Sequence, residues 1–310
     1  MAPPLRPLIA IVGPTASGKS DLGLRLAEEC GGEIVSCDSL QVYRGLDIGS
    51  AKPTAEERRR VPHHLLDVVD PDEPFSAAEY ARRARSALME IAARGRLPFV
   101  VGGTGLYLRA LLQGLFAGPS RDLDLRGRLE SLARRFGEGR LHRLLARVDP
   151  EAAGRIRPRD RVRVVRALEV YCKTGRPISE HQRPAAEALQ GYRTIIVGLR
   201  PERAALRAAV ERRTRQMLGL GLLDEVRALL ARGYAAELRP LRAIGYRQAV
   251  AVVRGEMSPA DAERSIVTES LRLAKRQMTW FRHQARVAWF PEPEAARRAV
   301  LAALEAELSP

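Results

Sequence analysis

Lysine is nearly missing from this 310-residue chain: among 52 basic side chains only Lys19, Lys52, Lys173 and Lys275 are lysines. Cysteine is scarcer still. Cys30, Cys37 and Cys172 make no CxxC pair and are odd in number, which argues against a disulfide framework or a cysteine-rich zinc site and makes a reducing cytoplasm the simplest home. Aromatic residues are only 5% of the chain, and no apolar run reaches the roughly 18 residues of a membrane span. The short run from Leu8 to Val12 lacks the length and cleavage pattern of a signal peptide. The sequence therefore reads as a soluble, unexported protein with no membrane partner.

Apolar residues and positive charge are plentiful. With 45% apolar and 29% charged residues, wholesale disorder is excluded and the chain suffices for one large domain or two modest ones. The net charge of +15 fits a polyanionic partner such as nucleic acid, or an anionic surface. A coding bias toward arginine and alanine produces the same excess, so charge alone leaves both readings open.

Periodicity organises the chain. A strand at Leu8 to Gly13 runs into the turn GPTASGKS and then a helix whose Leu22, Leu26 and Ala27 share one face, stopped by Gly31-Gly32. A second strand is expected at Glu33 to Ser39. Residues 44–75 dissolve into glycine, proline and charge and read as an irregular excursion or lid. Ser76, with Glu79 three residues on, predicts a capping box opening a helix that runs to about Arg94, and LPFVVGG at Leu97 to Gly103 predicts the next strand. This alternation predicts parallel strands covered by helices, with ligands at the strand carboxyl ends. From 119 to 189 the pattern is helical and arginine-rich. A strand returns at Thr194 to Pro201, and the remainder is helical apart from VAWF at Val287 to Phe290. The expected fold is α/β, a P-loop NTPase-like parallel sheet core flanked by helices (1–118 and 190–310) with an inserted, mainly helical domain at 119–189.

Gly13, Pro14, Thr15, Ala16, Ser17, Gly18, Lys19 and Ser20 satisfy GxxxxGK[ST] between a predicted strand and helix, the context that gives the pattern meaning. Small residues let successive backbone amides converge on phosphate oxygens, and the helix N-terminus adds partial positive charge. Lys19 would neutralise phosphate and Ser20 would offer its hydroxyl to Mg2+. The next strand ends in Asp38, Ser39, Leu40 and Gln41, which either face the same crevice or merely terminate the strand. Gly102-Gly103-Thr104-Gly105 either bring backbone close to a substrate or form a tight turn. No acid follows LPFVV where an ordinary P-loop ATPase would place one, which disfavours nucleotide hydrolysis. Arg159, Arg161, Arg163 and Arg166 offer contacts to nucleic-acid phosphates, or simply a solvated helix face. Arg242, Gly245, Tyr246 and Arg247, with Lys275, Arg276, Trp280, Phe281 and Arg282, interleave cations and aromatics in a way that suits backbone neutralisation and base stacking, although Trp280 and Phe281 also suit a core. His63 and His64 lack a third ligand and read as loop residues.

Together, GPTASGKS at Gly13, DSLQVYRGLDIGSAKP at Asp38, GGTGLYLRALL at Gly102, RALEVY at Arg166, AIGYRQ at Ala243 and AKRQMTWFR at Ala274 resemble the tRNA dimethylallyltransferase (tRNA isopentenyltransferase) family over nearly the whole chain. The resemblance implies transfer of a dimethylallyl group from dimethylallyl diphosphate to N6 of adenosine 37 of tRNA, beside the anticodon, with Mg2+ assistance and release of diphosphate. The protein would be a cytoplasmic monomer whose partner is the tRNA anticodon loop. By position, Gly13 to Ser20 would hold the diphosphate, Asp38 would be the general base, and Arg213 would bind diphosphate. Asp38, Ser39, Leu40, Gln41, Thr104 and Arg126 would contact tRNA. So would Val162, Arg163, Val164, Val165 and Arg166, and also Arg242, Gly245, Tyr246 and Arg247. Val162 and Val165 stand where relatives commonly carry glutamine, and Ala209 where an arginine is often seen. The alternatives are a P-loop kinase of a small metabolite, a prenyltransferase that accepts free adenylate, and a non-catalytic RNA-binding protein.

Overall fold

The computed structural model describes residues 5–116, 118–119, 121–181 and 188–308; the parts of the expected domains at 1–4, 117, 120, 182–187 and 309–310 lie outside the described residues. Two compact units divide the chain, one made of the residues up to Leu112 and from Leu189 onward, the other of Gln113–Ala188.

In the first unit, β1 (Arg6–Val12), β2 (Glu33–Ser36), β3 (His63–His64), β4 (Pro98–Gly102), β5 (Tyr192–Leu199) and β6 (Ala288–Phe290) form one sheet in the order β3-β2-β4-β1-β5-β6. Every pair is parallel. Successive side chains of a strand point to opposite faces, so β1 feeds two cores. Ile9 and Ile11 pack with Leu22 and Leu26 of α1 (Lys19–Glu29) and with Ala296 and Val300 of α14 (Pro293–Leu308). Leu8, Ala10 and Val12 pack with Tyr80, Ala84, Leu88 and Ile91 of α3 (Ala77–Ala93), with Leu108 and Leu111 of α4 (Gly105–Gln113), and with the C-terminal helices. Those are α10 (Arg203–Gly219), α11 (Leu222–Ala231), α12 (Tyr246–Val253) and the long α13 (Pro259–Gln284). Ser76 caps α3 by accepting the Glu79 amide, while the Glu79 carboxylate turns to Arg82 and Arg83 instead of closing the capping box.

Two expectations need correction. The second strand stops at Ser36, leaving Asp38 and Ser39 in the connection beyond it. The stretch 44–75 is turn and loop for most of its length, as expected, but not throughout. It contains α2 (Ala55–Arg60), and the histidines expected in a loop form edge strand β3, paired to β2. Leu46, Val61, Leu65 and Val69 of this stretch are buried. Polar anchoring hides its pattern: Lys52, its side chain only 1% exposed, donates to Tyr43 O (2.7 Å), Asp47 Oδ1 (2.6 Å) and Asp67 Oδ1 (2.5 Å). A buried, paired lysine leaves no hydrophobic period to read.

The second unit is helical: α5 (Leu123–Phe136), α6 (Glu138–Val148), α7 (Pro150–Arg155), α8 (Arg161–Thr174) and α9 (Ile178–His181). Its core joins Leu141, Leu145, Val164, Val165 and Leu168. Val164 and Val165 therefore cannot offer side chains to tRNA, whereas Val162 is 75% exposed and Arg163 stands at the surface. Arg126 and Arg166, also expected on tRNA, both grip Glu169, whose side chain is fully buried. Arg126 makes a two-pronged pair at 2.7 and 2.8 Å, and the Asp122 amide adds 2.8 Å. Burial opposes the charge of this carboxylate, but the arginines and the amide hold it down to about 2. Among the described residues, no helix of either unit is long and apolar enough to cross a membrane.

Removing one partner of a buried ion pair strands the other, so Glu169→Ala should cost the helical unit about 3–5 kcal/mol, read by amide exchange of α5 and α8. Because the folded carboxyl titrates below its ordinary value of 4.5, its contribution is complete above that value and disappears as pH falls toward about 2.

Candidate active site

A cavity of about 840 Å³ opens at the carboxyl ends of β1, β2 and β4 in the first unit, where parallel-sheet topology favours ligands. Residues 15–21 form one wall, Asp38 to Gln41 and Gly49 to Pro53 another, and Val210, Arg213, Met217, Ile266, Leu273 and Gln277 the third. It is a charged recess with an apolar side.

The phosphate loop is shaped for an anion. Ala16 adopts φ +61°, a left-handed conformation that is costly for a residue with a Cβ, and Gly18 at φ +84° turns the chain into α1, whose first turn no side chain caps. Ser17 Oγ is buried without a hydrogen-bond partner among the described residues. Such an orphan, beside uncapped amides, is what a phosphate oxygen would satisfy. Lys19 Nζ folds back to donate to Pro14 O at 3.2 Å. Burial and the nearby Arg213 charge push the Lys19 ammonium down to about 8, against the opposing pull of Asp38 and Asp21. Arg213 is likewise pushed down by burial, with Asp38 opposing. Two cations thus converge beside Asp38, with Asp21 also acting on Lys19.

Asp38 is held from its own loop: Oδ1 accepts the Leu40 amide at 2.8 Å. Ser39 N donates to Thr104 Oγ1 at 3.1 Å, and Thr104 N donates to Cys37 O, also at 3.1 Å. Gln41 accepts from Ser36 Oγ at 2.8 Å and donates to Ala51 O at 3.1 Å, so its amide is engaged within the protein. Burial pushes the Cys37 thiol up to about 12, so it stays neutral. At Gly102 an added Cβ would lie 2.2 Å from Cys37 O. The strand position where an ATPase acid would stand has no room for one.

The remaining residues expected at the site divide. Arg242 and Arg247 are exposed, Arg247 pairing with Glu269. Tyr246 is a correction: it is fully buried and no base can stack on it. Its ring lies against Gly49, where an added Cβ would sit 2.5 Å away, and its hydroxyl donates to Glu225 Oε1 at 2.7 Å. Phe281 is core as well. Two contributors were missed by sequence reading. Glu225 accepts the amides of Asp47 (2.9 Å), Ile48 (2.7 Å) and Gly49 (3.3 Å), fixing the cavity wall. Gln277 touches the phosphate loop itself, and its only signal lay in AKRQMTWFR.

Two outcomes follow. An anion restores charge to a partly deprotonated lysine, so inorganic pyrophosphate should bind with proton uptake near pH 8 and lose affinity as pH rises further; calorimetry in buffers of different ionisation enthalpy reads this, and Lys19→Met should abolish the uptake. Glu225→Ala should destabilise the first unit by about 1–3 kcal/mol in urea titrations, because three loop amides lose their acceptor.

The family model described as IPP transferase matches residues 41–284. The chain is 50% identical over 287 residues to a tRNA dimethylallyltransferase of Solibacter usitatus, covering 92% of this chain and 93% of that one. It is similar in structure to the tRNA isopentenylpyrophosphate transferase of Bacillus halodurans, with TM-score 0.70 and 40% identity over 97% of both chains. A eukaryotic dimethylallyltransferase acting on tRNA matches with TM-score 0.73 and 27% identity, over 92% of this chain and 74% of that one.

Proposed function

This chain belongs to the IPP transferase family, and on that premise we propose that it transfers a dimethylallyl group from dimethylallyl diphosphate to N6 of adenosine 37 in the anticodon loop of tRNA, releasing diphosphate. The observation that carries this reading is the meeting of Lys19, Arg213 and the phosphate loop with Asp38 in one cavity. A polyanionic leaving group and a proton acceptor are provided for at the same place. A kinase of a small metabolite is disfavoured by Gly102, which excludes a metal-binding acid at the end of β4.

The chemistry has two demands. An adenine N6 lone pair is delocalised into the ring, so its proton must leave as the new C–N bond forms; Asp38, oriented by the Leu40 amide, accepts it. The breaking C–O bond delivers its electron pair to diphosphate, where Lys19, Arg213 and the α1 amides stabilise the growing charge more than the ground state. The hydroxyl of Ser20 and the carboxylate of Asp21 line the cavity with the hard oxygen donors Mg2+ takes, alongside substrate phosphates. Bound there, Mg2+ would neutralise diphosphate charge. The target base must leave its stack to reach the recess, at a cost of a few kcal/mol offset by backbone contacts. Exposed Arg163, Arg242 and Arg247 are the cations we assign to those contacts. A monomer acting in the cytoplasm completes the reading.

Radiolabelled dimethylallyl diphosphate, Mg2+ and unmodified tRNA should yield N6-dimethylallyladenosine on nucleoside analysis, with AMP and ATP inert as acceptors. Asp38→Ala should lower kcat by about 10²–10⁴-fold with tRNA affinity largely intact. Undiminished kcat rejects the base role, and γ-phosphoryl transfer from ATP rejects the reaction altogether.

A further inference from the structure

Gln277 lies on α13, far in sequence from both loops that it joins. Its Oε1 accepts the Thr15 amide of the phosphate loop at 2.9 Å, and its Nε2 donates to Gly103 O, in the turn after β4, at 3.1 Å. The carboxamide has one acceptable orientation. Turned over, its NH2 would face the Thr15 N–H and its oxygen would face the Gly103 carbonyl. The helix presses closely on this turn: a Cβ at Gly103 would stand 2.5 Å from Gln277 Nε2, and one at Gly105 would stand 2.1 Å from the ring of Trp280, one helical turn further along α13. Gly105 leaves room for the Trp280 ring, and Gly103 lies close under the Gln277 carboxamide.

From Gly103 the connection continues to Asp38. Thr104, the next residue, gives its amide to Cys37 O and receives the Ser39 amide on Oγ1, so it holds the residues on either side of the proposed base. A short series of hydrogen and peptide bonds therefore runs from the loop assigned to the leaving group, through one carboxamide, to the loop assigned to the proton acceptor. Each loop is irregular backbone at the end of a different strand: the phosphate loop follows β1, the Asp38 loop follows β2, and the turn after β4 lies between them, with Gln277 joining that turn to Thr15 from outside the sheet.

We propose that Gln277 is a positioning residue that sets the spacing between the diphosphate loop and the Asp38 loop, and with it the alignment of the allylic carbon and N6. The proposal rests on the transferase reading and adds a role to a residue that takes no part in bond-making. With both polar atoms committed to the backbone, Gln277 orders the two half-sites and leaves the affinity of each to other groups.

Gln277→Leu, close in volume, removes both bonds. Gln277→Glu keeps the acceptor for Thr15 and sets a carboxylate oxygen against the Gly103 carbonyl; because it also brings negative charge to the diphosphate loop, it is read only as a transfer rate at saturating donor. Both variants are first compared with the unaltered chain by thermal unfolding, and three quantities are then measured on the full chain. These are single-turnover prenyl transfer to unmodified tRNA, equilibrium binding of inorganic pyrophosphate, and equilibrium binding of tRNA. A misplacement near 1 Å costs on the order of 10²-fold in an oriented reaction, so each variant should lose transfer rate by about that factor. In Gln277→Leu both binding constants should stay within about threefold, the split expected when only transition-state alignment is lost, and a matched loss of affinity is judged on that variant. An unchanged transfer rate in Gln277→Leu overturns the proposal. So does a rate loss matched by an equal loss of pyrophosphate or tRNA affinity, because Gln277 would then be a substrate contact, and so does a loss that follows only the unfolded fraction. Failure of the unaltered chain to prenylate tRNA would overturn the transferase reading and this inference with it, and is visible before any variant is made.

Discussion

Buried charge around the phosphate loop, two cations set against Asp38 and Asp21, is the constraint around which the cavity of the first unit is arranged. Lys19 and Arg213 share a recess with the uncapped start of α1, and burial depresses the ionisation of both. Asp38 is the carboxylate that opposes this field in each case. Desolvation disfavours both charged forms, and the loop carries local cost besides: Ala16 in the left-handed region and Ser17 Oγ buried without a partner among the described residues. The same cost becomes useful where negative charge accumulates on a leaving group, since donors already aimed and desolvated need no reorganisation during the reaction.

Rigidity around this field comes from elements distant in the chain. The parallel sheet supplies the floor, with β1 and β4 side by side so that their carboxyl ends open together. The C-terminal helices supply the rest. Glu225 of α11 collects three consecutive amides of the 47–49 loop and the hydroxyl of Tyr246, which itself seats the loop by packing on Gly49. Gln277 and Trp280 of α13 lock the glycine turn after β4. The segment without hydrophobic pattern is thus held by carboxylates, a buried lysine and amides in addition to the apolar contacts of Leu46, Val61, Leu65 and Val69.

In the helical unit the arginines serve two purposes that composition cannot separate. Arg126 and Arg166 neutralise Glu169 inside the unit, while Arg163 stands free enough of the core to meet a solvent-borne phosphate. A charge count treats all three alike. The valines of α8 divide the same way: Val164 and Val165 fill the core, whereas Val162 faces solvent. Helical periodicity carries that division, but matching the segment to tRNA by position alone overrode it.

The local signals proved legible because their physics is local. Strand-turn-helix punctuation, the glycines that let amides converge, Lys19 beside Ser20, and the alternation that makes a parallel sheet all depend on neighbours a few residues apart, and the phosphate loop and sheet core could be placed from them. Tertiary structure alone decided which distant groups complete the site. Thr15 and Gln277 are 262 residues apart, and Asp47 and Glu225 are 178 apart. A single hydrogen bond between such groups leaves no period, cap or turn signature in the chain. Burial that makes Tyr246 a wall brace and Glu169 the holder of two arginines likewise depends on which faces pack together, a property of the folded whole.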